Sequence, residues 1–266
     1  MVVANLLGLN PGVKRMMFYM QGCTGGASLL SVAESSPASR LLVLCGDVGA
    51  VAIFRGPESS LDTSTLIGQS LVADGMAALI VGANPSAGEV PLFHIHNSLS
   101  YLLPHTEALA HGHLSEGGVP LCVSRDFPLA MATAIPAASP ELKRCLRLPT
   151  GHDRPPIALT SDEFNSCFWT IHAAGRGLAA RVGAGVWANK TREWLSSRAI
   201  WSKLSTGDAS HVCILALATT TTAHVLEQSL FADYYFRVTG CQHMTGLKPK
   251  LEKICENSGI RCRKNI

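Results

Sequence analysis

The stretch Met20-Gln21-Gly22-Cys23-Thr24-Gly25-Gly26-Ala27 places a cysteine between an apolar run and a short helical pattern. The run at 13–20 predicts a buried strand, and the pattern at 29–33 predicts a helix. Cys23 would then lie at or near a helix N-terminus, where the dipole and free N–H groups favour a thiolate. The glycines permit a sharp turn and close approach of a substrate. These features suit a covalent nucleophile, and a buried cysteine at a packed strand end is the structural alternative.

Composition excludes several classes of protein. Charged residues make up 15% of the 266 residues, against about 25% in ordinary domains, so the chain must bury much of itself or depend on a partner. The net charge of +3 is too balanced for a nucleic-acid partner held by phosphate contacts. No apolar run approaches the roughly 20 residues of a membrane-spanning helix, and no secretory leader pattern is present.

The nine cysteines are an odd number and form no CxxC pair. This pattern indicates mostly buried thiols in a reducing, cytoplasmic compartment, rather than a disulfide framework or a zinc site. We therefore expect no bound metal.

Further apolar runs indicate an α/β chain. Strands are predicted at 41–45, 77–81, 167–172 and 212–217, and continuous apolar runs are typical of strands covered on both faces. Weaker helical patterns occupy 65–73 and 178–186.

Two residues could assist the cysteine. His172 ends the predicted strand 167–172, at the edge where α/β folds place their sites, although a satisfied core histidine is the structural alternative. Asp208 lies in Gly207-Asp208-Ala209-Ser210 just before the strand at 212–217, and a turn or helix cap is the commoner role of that pattern.

A set of motifs resembles the plant type III polyketide synthases, the chalcone and stilbene synthase family. The motifs follow the family order over residues 1–218: Leu6-Leu7-Gly8-Leu9, Val13-Lys14-Arg15, Gln21-Gly22-Cys23, Phe54-Arg55-Gly56-Pro57, Ile67-Gly68-Gln69, Asp74-Gly75, residues 77–82, Gly112-His113-Leu114 and Phe168-Trp169 followed by His172.

The resemblance implies a thiolase-like layered fold that is incomplete in its N-terminal half and at its C-terminal end. Residues 1–85 would be the remainder of the N-terminal half with the nucleophile, and residues 86–218 the C-terminal half with the histidine. Residues 219–266 resemble the family's N-terminal portion, placed here after the catalytic part. That order suggests two tandem family genes read as one chain, with a natural permutation as the alternative.

The resemblance also implies an acyltransferase of flavonoid-type biosynthesis. Cys23 would take a starter acyl group from a CoA thioester, and His172 would hold the thiolate as an ion pair. Malonyl-CoA would then extend the acyl chain. No organic cofactor is implied beyond CoA thioesters as substrates, and the expected partner is a second copy or an intact paralogue.

Several positions depart from the family pattern. Asp208 stands at the position of a catalytic asparagine, and a carboxylate opposes the oxyanion that an amide would stabilise. Val72 and Leu121 stand where the family has aromatic gatekeepers, so the substrate cavity, to which Gly112 also belongs, should be wider or misshapen. Lys250 and Lys253 match basic residues for the CoA phosphates, whereas Asn257 lacks the charge of a third.

These departures favour a second interpretation, a family relic that binds CoA esters or pairs with a paralogue. A cysteine hydrolase is a third interpretation, and the glycine directly before Cys23 does not fit its Gly-x-Cys-x-Gly turn.

Overall fold

The computed structural model describes residues 2–35, 40–48, 55–95, 98, 100, 102–112, 116, 119, 121–124, 126–137 and 212–264. Five helices of eight or more residues lie within these ranges: α2 Gly25–Glu34, α3 Thr63–Leu71, α4 Phe127–Ala137, α5 Phe231–Val238 and α6 Lys248–Ser258. A five-residue helix, α1, spans Val2–Leu6, and 3₁₀ turns span Gly22–Thr24 and Gln228–Leu230.

Within the described ranges, the main sheet has four antiparallel strands in the order β1-β2-β6-β3. These are β1 Leu41–Asp47, β2 Gly75–Gly82, β3 Phe93–Ile95 and β6 Val212–Thr220. The register places Val43 opposite Leu79 and Leu79 opposite Leu217. The predicted strands at 41–45, 77–81 and 212–217 are therefore confirmed.

Two small two-stranded sheets complete the strands of the described part. Strand β4 Ala110–Gly112 pairs with β5 Leu121–Val123, and β7 Val225–Glu227 pairs with β8 Cys262–Lys264.

Among the described residues, a helix covers one face of the main sheet, and apolar side chains are exposed on the other. Helix α2 packs on the first face, where Ala33, Val43, Val81 and Val212 are buried together. On the opposite face Leu42, Leu44 and Ile80 are each 41% exposed. The expectation that both faces are covered is thus wrong for the described residues, because apolar runs alone do not reveal whether a second layer packs on a sheet.

The predicted strand at 13–20 is also wrong in this structure. Residues 13–20 form no regular element, and every one of them is exposed. The predicted helices at 29–33 and 65–73 are confirmed as parts of α2 and α3, with α3 lying two residues earlier than expected. Asp62 explains the earlier start, because its carboxylate accepts a hydrogen bond from the Thr65 N–H at 3.1 Å and caps the helix.

Residues 212–264, which we call the docked segment, pack against the earlier part of the chain. Leu66 of α3 is buried among side chains of the docked segment: Phe231, Ala232, Tyr235, Phe236, Cys241, Leu247, Leu251 and Cys255. Hydrogen bonds join the same two parts, from Tyr235 Oη to the Arg55 carbonyl at 2.5 Å and from Gln228 Nε2 to the Ser70 carbonyl at 3.1 Å. The docked segment thus supplies both a strand of the main sheet and, apart from Leu66, all the buried residues of a second core.

Candidate functional site

Cys23 lies in the 3₁₀ turn Gly22–Thr24, directly before α2, and its side chain is exposed. The predicted position at a helix N-terminus is confirmed, and the alternative of a buried cysteine is wrong. The first turn of the ten-residue α2 packs on the sheet, at Cys45 of β1. A Cβ built on Gly26 would lie 3.8 Å from the Sγ of Cys45, so helix and strand are in close contact here. This contact anchors the helix near the turn. The dipole of an anchored helix favours negative charge at its N-terminus, which is where this thiol sits.

The turn that carries Cys23 is held by backbone geometry and one side chain. The Thr24 hydroxyl donates to the Gln21 carbonyl at 2.8 Å. Met20 and Gly22 both have a positive φ, of 58° and 51°. That conformation is easy for glycine, whereas it costs a side-chain-bearing residue such as Met20 about 1–2 kcal/mol. The chain therefore reverses sharply just before the thiol, at a local cost.

Of the three predicted catalytic residues, only Cys23 lies among the described residues. His172 and Asp208 lie outside them, so their distances to Cys23 remain predictions. The cysteine–histidine contact within the described part is a different pair, with the Sγ of Cys213 3.3 Å from the Nδ1 of His94 on adjacent strands. Burial raises the pKa of the Cys213 thiol, and the nearby Arg40 opposes that rise.

Arg40 fixes the chain beyond the end of β2. Its guanidinium donates to the carbonyls of Ala83 at 2.6 Å and Asn84 at 3.1 Å, and pairs with Glu89 at 2.6 Å. The hydrogen bond from Arg40 lowers the pKa of Glu89 to about 2, with the backbone N–H of Ser86 as the next contribution. This ion pair holds the loop between β2 and β3 rather than a substrate site.

The three predicted cavity residues lie on touching elements. Gly112 and Leu121 are opposite each other in the β4–β5 pair, and Val72 directly follows α3. Helix α3 packs closely on β5 at Gly68, where a Cβ would come within 2.9 Å of the Leu121 carbonyl oxygen. The structure thus places the three residues around the contact of α3 with the small sheet.

Arg263 supports this region and was missed by the sequence analysis. It is buried in β8, its Nη2 donates to the Val72 carbonyl, and its guanidinium carbon lies 3.7 Å from the Phe231 ring centre. Burial lowers its pKa to about 10, while Cys255 and Asp74 act in the opposite direction. Residues 248–264 contain four lysines and two arginines. An arginine among so many basic residues looks solvated in the sequence, and only the docking of β8 reveals its contact with Val72.

Lys250 and Lys253 are both exposed on α6, three residues apart and so on neighbouring positions of one helical face. A third lysine of the helix, Lys248, is instead paired with Asp233 at 2.5 Å. Asn257 donates its side-chain amide to the Lys253 carbonyl at 2.7 Å. The two exposed lysines could hold a phosphate, whereas Lys248 and Asn257 are engaged within the protein.

The described ranges were also considered for metal ligands and for membrane-spanning helices. Within those ranges, no group of three or more potential ligands is placed to hold a metal ion. No helix in the same ranges has the length and hydrophobicity needed to cross a membrane.

Two comparisons, one with protein families and one with solved structures, found proteins similar to this chain. The family model "Chalcone and stilbene synthases, N-terminal domain" matches residues 1–85 and 200–266, which together exceed half of the chain. The second match takes in Asp208, all of β6 and the rest of the docked segment, and begins before the boundary predicted at 219.

Among solved structures, the C-terminal type III polyketide synthase domain of Steely1, a type I/III hybrid from Dictyostelium, is 27% identical with a TM-score of 0.57. The match covers 69% of this chain and 48% of that domain, so the chain spans about half the length of the solved structure. The thiolase-like α/β fold is confirmed over the matching part.

Proposed function

Because the chain belongs to the chalcone and stilbene synthase family, we propose that it is an acyltransferase of the type III polyketide synthase kind, with Cys23 as the acyl carrier. The observation that carries the proposal is the exposed thiol of Cys23 in the turn before an anchored helix. An exposed thiol is open to a CoA thioester, and the helix dipole stabilises the thiolate that must attack.

The loading step exchanges one thioester for another. The Cys23 thiolate attacks the carbonyl carbon of the acyl-CoA, the new C–S bond to Cys23 forms, and the bond to the CoA sulfur breaks. The proton removed from Cys23 ends on the CoA thiol. His172 is the proposed ion-pair partner of the thiolate.

For extension, malonyl-CoA would lose CO₂ to give a carbanion. The carbanion would attack the carbonyl carbon of the acyl–Cys23 thioester, so that a C–C bond forms, the C–S bond to Cys23 breaks and the Cys23 thiolate is released. That step needs donors for a thioester oxyanion, and Asp208 in its ionised form supplies none. Loss of one such donor costs about 10²–10³ in rate in other enzymes. We therefore propose efficient loading followed by slow or absent extension, in a cavity lined by Val72, Gly112 and Leu121.

Lys250 and Lys253 are the proposed contacts for the CoA phosphates. Both ammonium groups are on the exposed face of α6, and an ammonium binds phosphate as a point charge. The double variant Lys250→Ala/Lys253→Ala should then slow acylation of Cys23 at low acyl-CoA concentration and leave it unchanged at saturation.

Intact-protein mass spectrometry after incubation with a starter acyl-CoA tests the loading step. The wild-type chain should gain a single acyl group, and Cys23→Ala should gain none. Cys262→Ala is the matched control, because Cys262 is also exposed but lies in β8, and it should load as the wild type does. An equal adduct on Cys23→Ala, or no adduct on folded wild-type protein, would refute loading at Cys23.

The exposed sheet face favours a second candidate function, a family relic that binds CoA esters or pairs with an intact paralogue. Leu42, Leu44 and Ile80 form an apolar row on that face, with Met76 52% exposed beyond it. Exposed apolar patches mark contact surfaces. Co-expression with a full-length synthase tests this function: a complex that Leu44→Lys abolishes supports it, and a monomer that binds no CoA ester refutes it.

The two ranges that the family model matches also bear on the origin of the chain. We propose that the chain derives from two neighbouring plant-type family genes read as one, since one N-terminal-domain model matches both 1–85 and 200–266. Sequencing of the transcript tests this origin directly, and a single ancestral reading frame of permuted order is the competing result.

A further inference from the structure

Two strand pairs of this chain place a histidine directly opposite a cysteine. His94 of β3 faces Cys213 of β6 in the main sheet, and His111 of β4 faces Cys122 of β5 in a small sheet. Residues directly opposite in an antiparallel pair point to the same side, with Cβ atoms about 4.5–5.5 Å apart. Each pair therefore puts an imidazole and a thiol on one side of its sheet, and the function proposed above uses neither pair.

The pair in the main sheet shows how close the two groups come in this arrangement. The Sγ of Cys213 lies 3.3 Å from the Nδ1 of His94. A sulfur and a nitrogen that bind one tetrahedral zinc ion are about 3.5 Å apart, given the usual bonds of about 2.3 Å and 2.0–2.1 Å. A histidine and a cysteine directly opposite each other can thus reach the spacing of two ligands of one metal ion.

The environment of the main-sheet pair does not favour a cation. Cys213 is only 1% exposed, and burial raises the pKa of its thiol, which opposes the thiolate that a metal requires. The guanidinium of Arg40 lies beside it, since a Cβ on Gly82, which is opposite Cys213, would come within 2.7 Å of the Arg40 Nη1. A positive charge at that position repels a metal ion.

The pair on the small sheet is open to solvent. His111 is exposed and Cys122 is half-buried. Helix α3 packs on the opposite face of β5, because a Cβ on Gly68 would lie 3.4 Å from the Cβ of Leu121. Neighbouring residues of a strand point to opposite faces, so Cys122 and His111 point away from α3. A hydrated ion can therefore reach both side chains.

The charge of the surrounding sequence also differs between the two pairs. The range 102–124, which contains β4 and β5, has no lysine or arginine and has two glutamates, Glu107 and Glu116. Its net charge is negative, whereas Arg40 lies directly beside the main-sheet pair. Access and charge thus both select His111 and Cys122.

We propose that His111 and Cys122 bind a divalent cation of intermediate softness, Zn²⁺ being the ion that they fit. An imidazole nitrogen and a thiolate sulfur are ligands that zinc prefers. Binding forms one Zn–N and one Zn–S bond, and the proton of the Cys122 thiol passes to solvent, so no electrons are transferred. Water fills the remaining positions, because within the described ranges no group of three or more potential ligands surrounds an ion.

Such an ion would join two short strands beside the proposed cavity. Strands β4 and β5 have three residues each, and isolated strand pairs are only marginally stable in water. His111 adjoins Gly112 and Cys122 adjoins Leu121, so the ion would fix the spacing of these two cavity residues. That effect on acyl transfer rests on the function proposed above, whereas metal binding itself does not.

Titration of the reduced, metal-free full chain with Co²⁺ tests the site, because Co²⁺ is a spectroscopic probe of zinc ligands. A thiolate bound to Co²⁺ gives a charge-transfer band in the near ultraviolet, and added Zn²⁺ should abolish it. Cys122→Ser should remove the band. His111→Ala should weaken Co²⁺ binding at least about tenfold, since loss of even an indirect partner of a metal costs about 10–100-fold in known sites.

Exposed residues of the same types elsewhere in the chain provide matched controls. Cys262 and His224 are both exposed, and neither is in β4 or β5. Cys262→Ser and His224→Ala should bind Co²⁺ as the wild type does. Circular dichroism verifies that each variant is folded, and His111→Gln repeats the test of the imidazole with a polar side chain in its place.

Three results would overturn the proposal. A band that persists in Cys122→Ser means that another cysteine binds the ion. Unchanged affinity in both His111 variants means that the imidazole is not a ligand. Absence of a band from folded wild-type protein with Co²⁺ in large excess means that no such thiolate site exists. Cys23→Ala should keep the band and fail to load an acyl group, so failure of the metal site and failure of the proposed function are separately visible.

Discussion

Replacing Leu66 with alanine tests how strongly the docked segment is bound to the rest of the chain. Leu66 is fully buried, and the buried side chains clustered around it all lie between residues 231 and 255. Truncation therefore removes the apolar contact that α3 makes with the docked segment, and leaves the sheet core around Val43 and Val81 intact.

The expected cost follows from the site. Leucine-to-alanine changes in cores cost about 2–5 kcal/mol, and less where the surroundings can collapse into the cavity. Collapse is restricted here, because the Tyr235 ring beside the site is held by its hydroxyl on the Arg55 carbonyl at 2.5 Å. We therefore expect a loss in the upper part of that range, about 3–5 kcal/mol in the free energy of unfolding. That is a large share of the ~5–15 kcal/mol that stabilises ordinary domains.

Urea unfolding followed by circular dichroism measures this loss, with Leu61→Ala as the control. Leu61 is 83% exposed and lies five residues away, so the same chemical change should cost under about 0.5 kcal/mol there. Tryptic cleavage after Arg237, in α5, should accelerate in Leu66→Ala under native conditions. Equal urea midpoints for the two variants would refute the docked arrangement of residues 212–264.

Two more predictions test the packing and the charge of the described part. Gly68→Ala should destabilise the protein by about 1–3 kcal/mol in urea, because its Cβ would approach the Leu121 carbonyl oxygen to 2.9 Å, whereas Gly246→Ala, whose Cβ meets nothing within 4 Å, should not. The pKa of Glu89 is lowered from 4.5 to about 2, so its ionised form stabilises the fold above pH 4.5 and that contribution is lost as the pH falls towards 2. Glu89→Gln should therefore unfold at lower urea than wild type at pH 7, and the two midpoints should converge between pH 4.5 and 2; a constant gap would contradict the role of the ion pair.

The parts of the fold that local sequence predicts well are those decided by neighbouring residues. The strands at 41–45, 77–81 and 212–217 are continuous apolar runs, and Cys23 precedes a glycine-rich helix start, so both follow from periodicity and turn chemistry. Residues 13–20 show the limit of the same reasoning. Their composition favours a strand, but a strand also needs a paired neighbour, and composition does not show whether one is present.

The contacts that sequence reasoning missed all depend on distant pairing. Arg263 donates a hydrogen bond to the Val72 carbonyl only because β8 packs beside the end of α3. Cys213 meets His94 only through the register of β6 with β3. Neither residue belongs to a motif, and each separation along the chain exceeds 100 residues. Such pairs become predictable only once the strand order is known.

The strand order shows that both segments matched by the family model contribute strands to one sheet. Strand β6 lies between β2 and β3 although 130 residues separate Val212 from Gly82. Loop-closure entropy rises by only about 0.6 kcal/mol per doubling of length, so bringing together two strands at this separation costs roughly 2 kcal/mol more than at about 15 residues. The contact of Leu66 alone is expected to exceed that cost. The separation of the paired strands along the chain therefore has little effect on stability. It is expected to slow folding instead, because a strand that pairs across such a distance forms late.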